Sequence, residues 1–141
     1  MTTLDDLSAS LPNGFHDAEL QRFAIDYTKR EALLIVDVWV GDVSSEQREA
    51  CRLAEVVLSG LFFWVSEAPD PNYDFDTAGG ERIDIGPLAK LRGKSSLKLP
   101  PVPDGVFVSW MLFNEWNAFI YIAARAARLN WIGETTVRKY D

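Results

Sequence analysis

The segment 106–124 constrains the fold more than any other part of the sequence. It is apolar along most of its length and has one charged residue, Glu115, yet the polar tetrapeptide Asn114-Glu115-Trp116-Asn117 interrupts it near its middle. An acid and two amides at the centre of a hydrocarbon layer are costly, so a membrane-spanning helix is disfavoured. Two apolar runs on either side of a polar tetrapeptide are typical of a β-hairpin. We therefore predict a hairpin here and no membrane as a partner.

An earlier part of the chain predicts a second hairpin. Residues 18–27 alternate loosely between large apolar and polar side chains, residues 33–40 are strongly apolar, and the charged segment 28–31 separates them. This pattern favours two strands and a turn. Residues 11–14 read Leu-Pro-Asn-Gly, which is turn chemistry because Pro fixes φ while Asn and Gly tolerate positive φ. Residues 1–13 are therefore expected to be an N-terminal lead, a short segment that precedes the first strand.

Two segments allow both helix and strand. Within 45–60, the apolar positions 50, 53, 54, 57, 58 and 61 fit a helix that Ser45 would cap, whereas residues 55–65 also read as strand, Ser-Gly turn or bulge, and aromatic strand. Residues 117–130 begin with strand-forming aromatic and β-branched side chains and continue with helix-forming alanines and arginines. Both segments stay open from the pattern alone.

Residues 68–104 are expected to be a variable loop region. Residues 69–80 are rich in Asp, Asn, Pro and Gly, and a short helix is permitted near Pro87. The acidic residues from Asp70 to Glu81 have calcium-loop spacing, but Phe75 stands where such a loop needs glycine. An EF-hand is therefore disfavoured, while a looser divalent site in this loop stays open.

The charge of the chain restricts its partners. The net charge is −7, and residues 1–70 carry 13 acidic and 5 basic residues against 8 and 9 in residues 71–141. An acidic first half repels phosphates, so no nucleic acid partner is expected, and a basic protein partner is favoured instead.

Cys51 is the only cysteine, and the N-terminus lacks the features of a signal peptide. A reducing compartment and a cytoplasmic location are therefore expected.

His16 and Asp17 are the first candidate binding residues. His16 is the only histidine, and a neighbouring carboxylate raises the pKa of an imidazole. Adjacent residues on a strand point to opposite faces, however, and a lone histidine needs distant carboxylates to complete a metal site. We therefore predict no catalytic residue, no metal ligand and no cofactor at this pair.

The turn 114–117 supplies the other candidate binding residues. Trp116 lies among the polar side chains of Asn114, Glu115 and Asn117, and further aromatic residues crowd the last third of the chain. Aromatic anchors ringed by polar groups are typical of binding patches, and hairpin tips are exposed. The alternative interpretation is that these rings pack in the core.

The opening of the chain resembles a group of small bacterial proteins. Residues 14–20, Gly-Phe-His-Asp-Ala-Glu-Leu, resemble the His-Asp-Ala or His-Asp-Ser element that begins a β-meander in uncharacterised bacterial proteins, some of them similar to immunity proteins of toxin systems. Residues 58–63 and 116–120 resemble later strands of the same group. The resemblance implies strands rather than helices in the ambiguous segments. No catalytic residue carries over from it.

These observations predict a mainly β fold. We expect one domain over residues 1–141, an antiparallel meander of hairpins with one or two short helices, including a central aromatic hairpin before residue 68. The rival prediction is an α+β fold with helices near 45–59 and 117–130.

The leading functional hypothesis is an immunity-like interaction protein that binds a basic protein by occlusion through acidic and aromatic surface. The alternative is a small-ligand protein or enzyme with an aromatic-lined pocket, in which His16 and Glu115 would reach one cavity. A homodimer formed through exposed rings is a third hypothesis.

Overall fold

The computed structural model describes residues 2–41, 49–72, 81–88 and 98–137. Within these ranges it has one short helix and nine strands, and all the strands belong to one antiparallel sheet. The elements are α1 (Leu4–Ser10), β1 (Ala18–Asp26), β2 (Glu31–Trp39), β3 (Ala50–Ser59), β4 (Phe63–Ser66), β5 (Glu81–Pro87), β6 (Phe107–Phe113), β7 (Ala118–Ala124), β8 (Ala126–Trp131) and β9 (Thr136–Val137).

The sheet confirms the mainly β prediction and excludes the rival. Its strands lie in the order β4-β7-β6-β5-β1-β2-β3-β8, and β9 also pairs with β3. The helices predicted by the rival near 45–59 and 117–130 are wrong, because residues 50–59 form β3 and residues 118–131 form β7 and β8. Residues 42–48, which include the proposed Ser45 cap, lie outside the described residues.

The first and the last of the predicted hairpins are confirmed. β1 and β2 pair from Glu19 opposite Asp37 to Asp26 opposite Glu31, with one shift of register between Leu20 and Arg22. The Asp26 carboxylate accepts backbone hydrogen bonds from Thr28 (2.9 Å) and Lys29 (3.1 Å), which closes the turn. β6 and β7 pair on either side of the turn 114–117.

The predicted central aromatic hairpin is wrong. β3 pairs with β2 and β8, whereas β4 pairs with β7. Gly60 has φ +61°, and the chain leaves β3 there without folding back on it. The Leu61 N–H then donates to the Arg30 carbonyl (2.8 Å), and the Phe62 N–H donates to the Ala123 carbonyl (2.7 Å). The aromatic segment is thereby carried to the far edge of the sheet.

The core lies on one face of the sheet, and α1 contributes to it. β2 shows the alternation clearly, with Ala32, Leu34, Val36 and Val38 buried and the residues between them half-buried. Leu4 of α1 is buried in the same cluster. The predicted N-terminal lead therefore contains a packed helix.

α1 begins with a capping box. Thr3 Oγ1 accepts from the Asp6 N–H (3.1 Å), and the Asp6 carboxylate accepts from the Thr3 N–H (2.8 Å). The Thr2 carbonyl also accepts from the Ala127 N–H (2.8 Å), which ties the N-terminus to β8.

The segment 68–104, expected as a variable loop, contains strand β5. β5 lies between β1 and β6, and Pro87, where a short helix was permitted, ends it. Residues 73–80 and 89–97 lie outside the described residues, and with them most of the acidic loop. In the described part of the chain, the single helix has seven residues, far fewer than a membrane crossing requires.

Candidate functional site

The turn 114–117 joins β6 to β7 and is tied to the strands beside it. The Asn114 N–H donates to the Arg82 carbonyl (2.9 Å), which extends the β5–β6 pairing into the turn. Asn117 has φ +46°, a left-handed conformation that asparagine tolerates better than most residues. The turn predicted at residues 114–117 is therefore confirmed.

Glu115 forms the centre of a charged cluster at this turn. Its carboxylate accepts from the backbone N–H of Arg82 (2.8 Å) and from Arg82 Nε (2.5 Å). Burial opposes ionisation, but the hydrogen bonds from Arg82 outweigh it and hold the pKa of Glu115 below its ordinary value. Glu115 is therefore an ionised anchor for β5.

Glu81 is the second carboxylate of this cluster, and no sequence pattern indicates its contact with Glu115. Its Oε1 atom accepts from the Glu115 N–H (2.9 Å). Burial and the nearby charge of Glu115 together raise the pKa of Glu81 to about 7. Glu81 thus titrates near neutral pH, whereas Glu115 stays ionised.

We expect Glu81→Gln to raise the free energy of unfolding at pH 8 by about 1 kcal/mol after solvent screening, and to change it little at pH 5. The folded pKa of Glu81 lies above its ordinary value of 4.5, so its contribution to stability is complete below pH 4.5 and is lost as the pH rises through about 7. Glutamine keeps the oxygen that accepts from Glu115. Urea unfolding at both pH values measures the effect.

The control for this experiment is Glu134→Gln, which changes an exposed glutamate after β8. We expect its effect on the free energy of unfolding to be small and equal at the two pH values. An equal effect of Glu81→Gln at pH 5 and pH 8 would contradict the assigned titration.

Trp116, the predicted anchor, is half-buried. Its ring packs edge-on against Phe113, with centroids 5.5 Å apart and planes at 73°, and it contacts the hydrophobic core. Asn117 is exposed, and its side-chain amide donates to Asp70 (3.2 Å). The turn therefore presents mainly polar groups, and its tryptophan serves largely to hold the turn on the core.

His16 and Asp17 lie together in the turn that precedes β1. Asp17 has φ +54°, so the pair does not follow the strand geometry that would point the two side chains apart. His16 Nδ1 lies 2.6 Å from Asp84 Oδ1, and Nε2 lies 3.4 Å from Asp17 Oδ2. The hydrogen bond with Asp84 and, more weakly, the charges of Asp84 and Asp17 raise the pKa of His16, while partial burial opposes them.

Asp17 connects the two groups of sequence-predicted residues. Its side chain accepts from Asn114 Nδ2 (3.3 Å), and its carbonyl accepts from Trp39 Nε1 (3.0 Å). The structure therefore brings His16, Asp17 and Asn114 together. Asn114 directly precedes Glu115, so this group adjoins the Glu115 cluster. Asp84 belongs to the same group, and no local pattern could indicate it because 67 residues separate it from Asp17 in the sequence.

A separate surface carries the most exposed aromatic rings of the described residues. Tyr27 is 80% exposed, Phe62 is 46% exposed and Phe23 is 45% exposed. Phe23 of β1 stacks on the half-buried Trp64 of β4, with centroids 4.8 Å apart and planes at 24°, although the two strands are not neighbours in the sheet. We call Phe23, Tyr27, Phe62 and Trp64 the aromatic patch.

Three members of the aromatic patch, Tyr27, Phe62 and Trp64, line a cavity of about 150 Å³. Asp26, Arg30 and Leu61 line it as well. Sequence analysis missed this surface, although one signal for it was present: Tyr27 directly precedes the hairpin turn, where side chains are exposed. A second cavity shares Ile25 and Asp26 with this one, and a third is lined by residues 66–71 and Asn117. Neither His16 nor Glu115 lines any of the three.

Comparison of the chain with known proteins finds no matching family model, no similar curated protein and no similar solved structure.

Proposed function

We propose that this chain is a protein-binding module whose aromatic patch docks a basic protein partner. The observation that carries the proposal is the exposure of Tyr27, Phe62 and Phe23 on adjoining segments. Single exposed apolar residues are ordinary on protein surfaces, whereas several large rings around one depression are typical of interaction sites. Aromatic side chains of this kind supply most of the binding energy at many protein interfaces.

The patch is held in a defined shape before any partner binds. Phe23 is stacked on Trp64, and the Leu61 N–H is bonded to the Arg30 carbonyl at the hairpin tip. Tyr27 follows Asp26, whose carboxylate closes the turn. Less side-chain freedom is then lost on binding, which favours affinity.

The charge of the chain supports a basic partner. The net charge is −7, so long-range attraction speeds encounter with a cationic surface. Exposed aromatic rings also bind the guanidinium and ammonium groups that such a surface presents. Asp26 at the rim adds a carboxylate that can pair with an arginine or lysine.

The proposed mode of action is occlusion, in which the bound chain covers a surface of its partner. It requires no catalytic group. It is also the mode of action expected from the resemblance of residues 14–20 to immunity-like proteins, in which case the partner is a toxin domain. The proposed contact surface differs from the sequence hypothesis, because Trp116 is half-buried and the aromatic patch is exposed.

We expect Tyr27→Ala/Phe62→Ala to abolish capture of the partner while leaving the fold intact, because both rings are exposed. The chain is immobilised and exposed to lysate of its source organism at low and high salt, and retained proteins are quantified by mass spectrometry. The control is Ile132→Ala, which removes a similarly exposed apolar side chain (48%) outside the patch.

The proposal is supported if wild type and Ile132→Ala both retain one basic protein at low salt and the patch variant does not. High salt should weaken the retention of that protein. Equal retention by all three proteins, or no retained basic protein, would contradict the proposal. Sedimentation over a concentration series completes the test: a wild-type dimer that the patch variant breaks would assign the patch to self-association instead.

A further inference from the structure

His16 has a carboxylate on each side of its ring. Asp84 Oδ1 lies 2.6 Å from Nδ1 and Asp17 Oδ2 lies 3.4 Å from Nε2. One ligand-type atom from each of the three residues lies within 4.8 Å of the others. The geometry points to a zinc-class divalent metal site in which His16 Nε2 and Asp17 are the ligands and Asp84 orients the imidazole.

The distances fit this assignment. Ligands of tetrahedral zinc lie about 2.0–2.2 Å from the metal, so two of them are about 3.3–3.5 Å apart. The separation of Nε2 and Asp17 Oδ2, 3.4 Å, therefore leaves room for one ion between the two atoms without a rearrangement of the backbone. Imidazole nitrogen favours zinc, copper and nickel over magnesium and calcium, which prefer oxygen ligands.

Each ligand has a partner that holds it in place. Asp84 accepts from the Nδ1–H group, which leaves the lone pair of Nε2 for the metal, as carboxylate–histidine pairs do in zinc sites. Asn114 Nδ2 donates to Asp17 Oδ1 (3.3 Å), the other oxygen of the carboxylate whose Oδ2 lies beside His16 Nε2. The remaining coordination positions are open to water, because the His16 side chain is 73% exposed.

The site joins parts of the chain that are far apart in sequence. His16 and Asp17 belong to the turn before β1, Asp84 to β5, and Asn114 to the turn after β6. Both ligands lie in the turn before β1, and the hydrogen bond between His16 and Asp84 connects a bound ion to β5. The site does not overlap the aromatic patch, so it is independent of the proposed partner binding.

The single histidine makes the test direct. The chain, prepared without a histidine tag, is titrated with ZnCl₂ at pH 7.5 while its only imidazole is observed by ¹⁵N NMR and the stoichiometry by calorimetry. We expect one zinc per chain and a shift of the His16 Nε2 resonance. Magnesium at the same concentrations is expected to leave that resonance unchanged.

Four variants decide the assignment. His16→Ala and Asp17→Asn are expected to abolish the binding, and Asp84→Asn to weaken it by about 10–100-fold, as loss of an orienting carboxylate does. Asp104→Asn, at an exposed acid in the loop before β6, is expected to bind like wild type. A wild-type His16 resonance that zinc does not move, or binding that survives in folded His16→Ala, would overturn the proposal and leave the cluster as a hydrogen-bonded ion pair.

Discussion

Gly86→Ala is expected to lower the free energy of unfolding by about 2–3 kcal/mol. Gly86 lies opposite Trp110 in the β5–β6 pair, and a methyl group there would overlap Cζ2 and lie 2.6 Å from Cε2 of the indole. Trp110 also packs edge-on against Phe119, with centroids 5.7 Å apart. The rigid indole must therefore rotate as a unit and lose these contacts. Urea unfolding measures the loss.

A rescue experiment separates this clash from a general effect on β5. In the Trp110→Leu background the indole is absent, so we expect the additional cost of Gly86→Ala to fall below about 1 kcal/mol. If Gly86→Ala in the otherwise wild-type chain lowers the free energy of unfolding by less than about 0.5 kcal/mol, the range of ordinary surface substitutions, the packing described here is contradicted.

Gly60→Val is expected to cost about 3 kcal/mol and to disturb the aromatic patch as well. Gly60 has φ +61°, which strains any β-branched residue, and a Cβ there would lie 2.8 Å from Cβ and Cγ of Arg125. The residue directs the chain from β3 to β4, so the positions of Phe62 and Trp64 depend on it. Thermal unfolding and partner capture both report the change.

Gly60→Asn is the matched control, because asparagine tolerates the left-handed region but still places a Cβ against Arg125. We expect it to cost about half as much as valine, from the clash alone. Equal costs for the two substitutions would show that backbone strain contributes nothing. Wild-type stability of both would show that the fold does not need the left-handed conformation of residue 60.

The first hairpin was predictable because its signals are local. β2 alternates between buried and half-buried residues along its whole length, β1 alternates over residues 18–20, and the turn between them is polar. The same holds for the turn 114–117, where four polar residues interrupt an apolar run.

β3 was ambiguous for a physical reason. It lies inside the sheet between β2 and β8, and Val56, Val57 and Leu58 are all buried. Burial of consecutive residues breaks the alternation of a strand and imitates the apolar spacing of a helix. In β7 and β8, packing likewise overrides the helix propensity of alanine, since Ala124 and Ala127 lie in the core beside α1.

The contacts in the candidate sites were harder to predict from the sequence than the strands were. Asp84 meets His16 only because β5 pairs with β1, and Glu81 meets Glu115 only because the β6–β7 turn lies beside β5. The path from β3 to β4 depends on one glycine, and the pattern around it was equally compatible with a hairpin. Long-range pairing therefore decides which of the predicted residues become neighbours.

The affinity of the purified partner for variants of this chain shows whether the aromatic patch binds a basic protein. Surface plasmon resonance would compare wild type, Tyr27→Ala/Phe62→Ala and Ile132→Ala at several salt concentrations. We predict that the patch variant loses about 30-fold or more in affinity, while Ile132→Ala binds like wild type. Equal affinities for wild type and the patch variant would contradict the account.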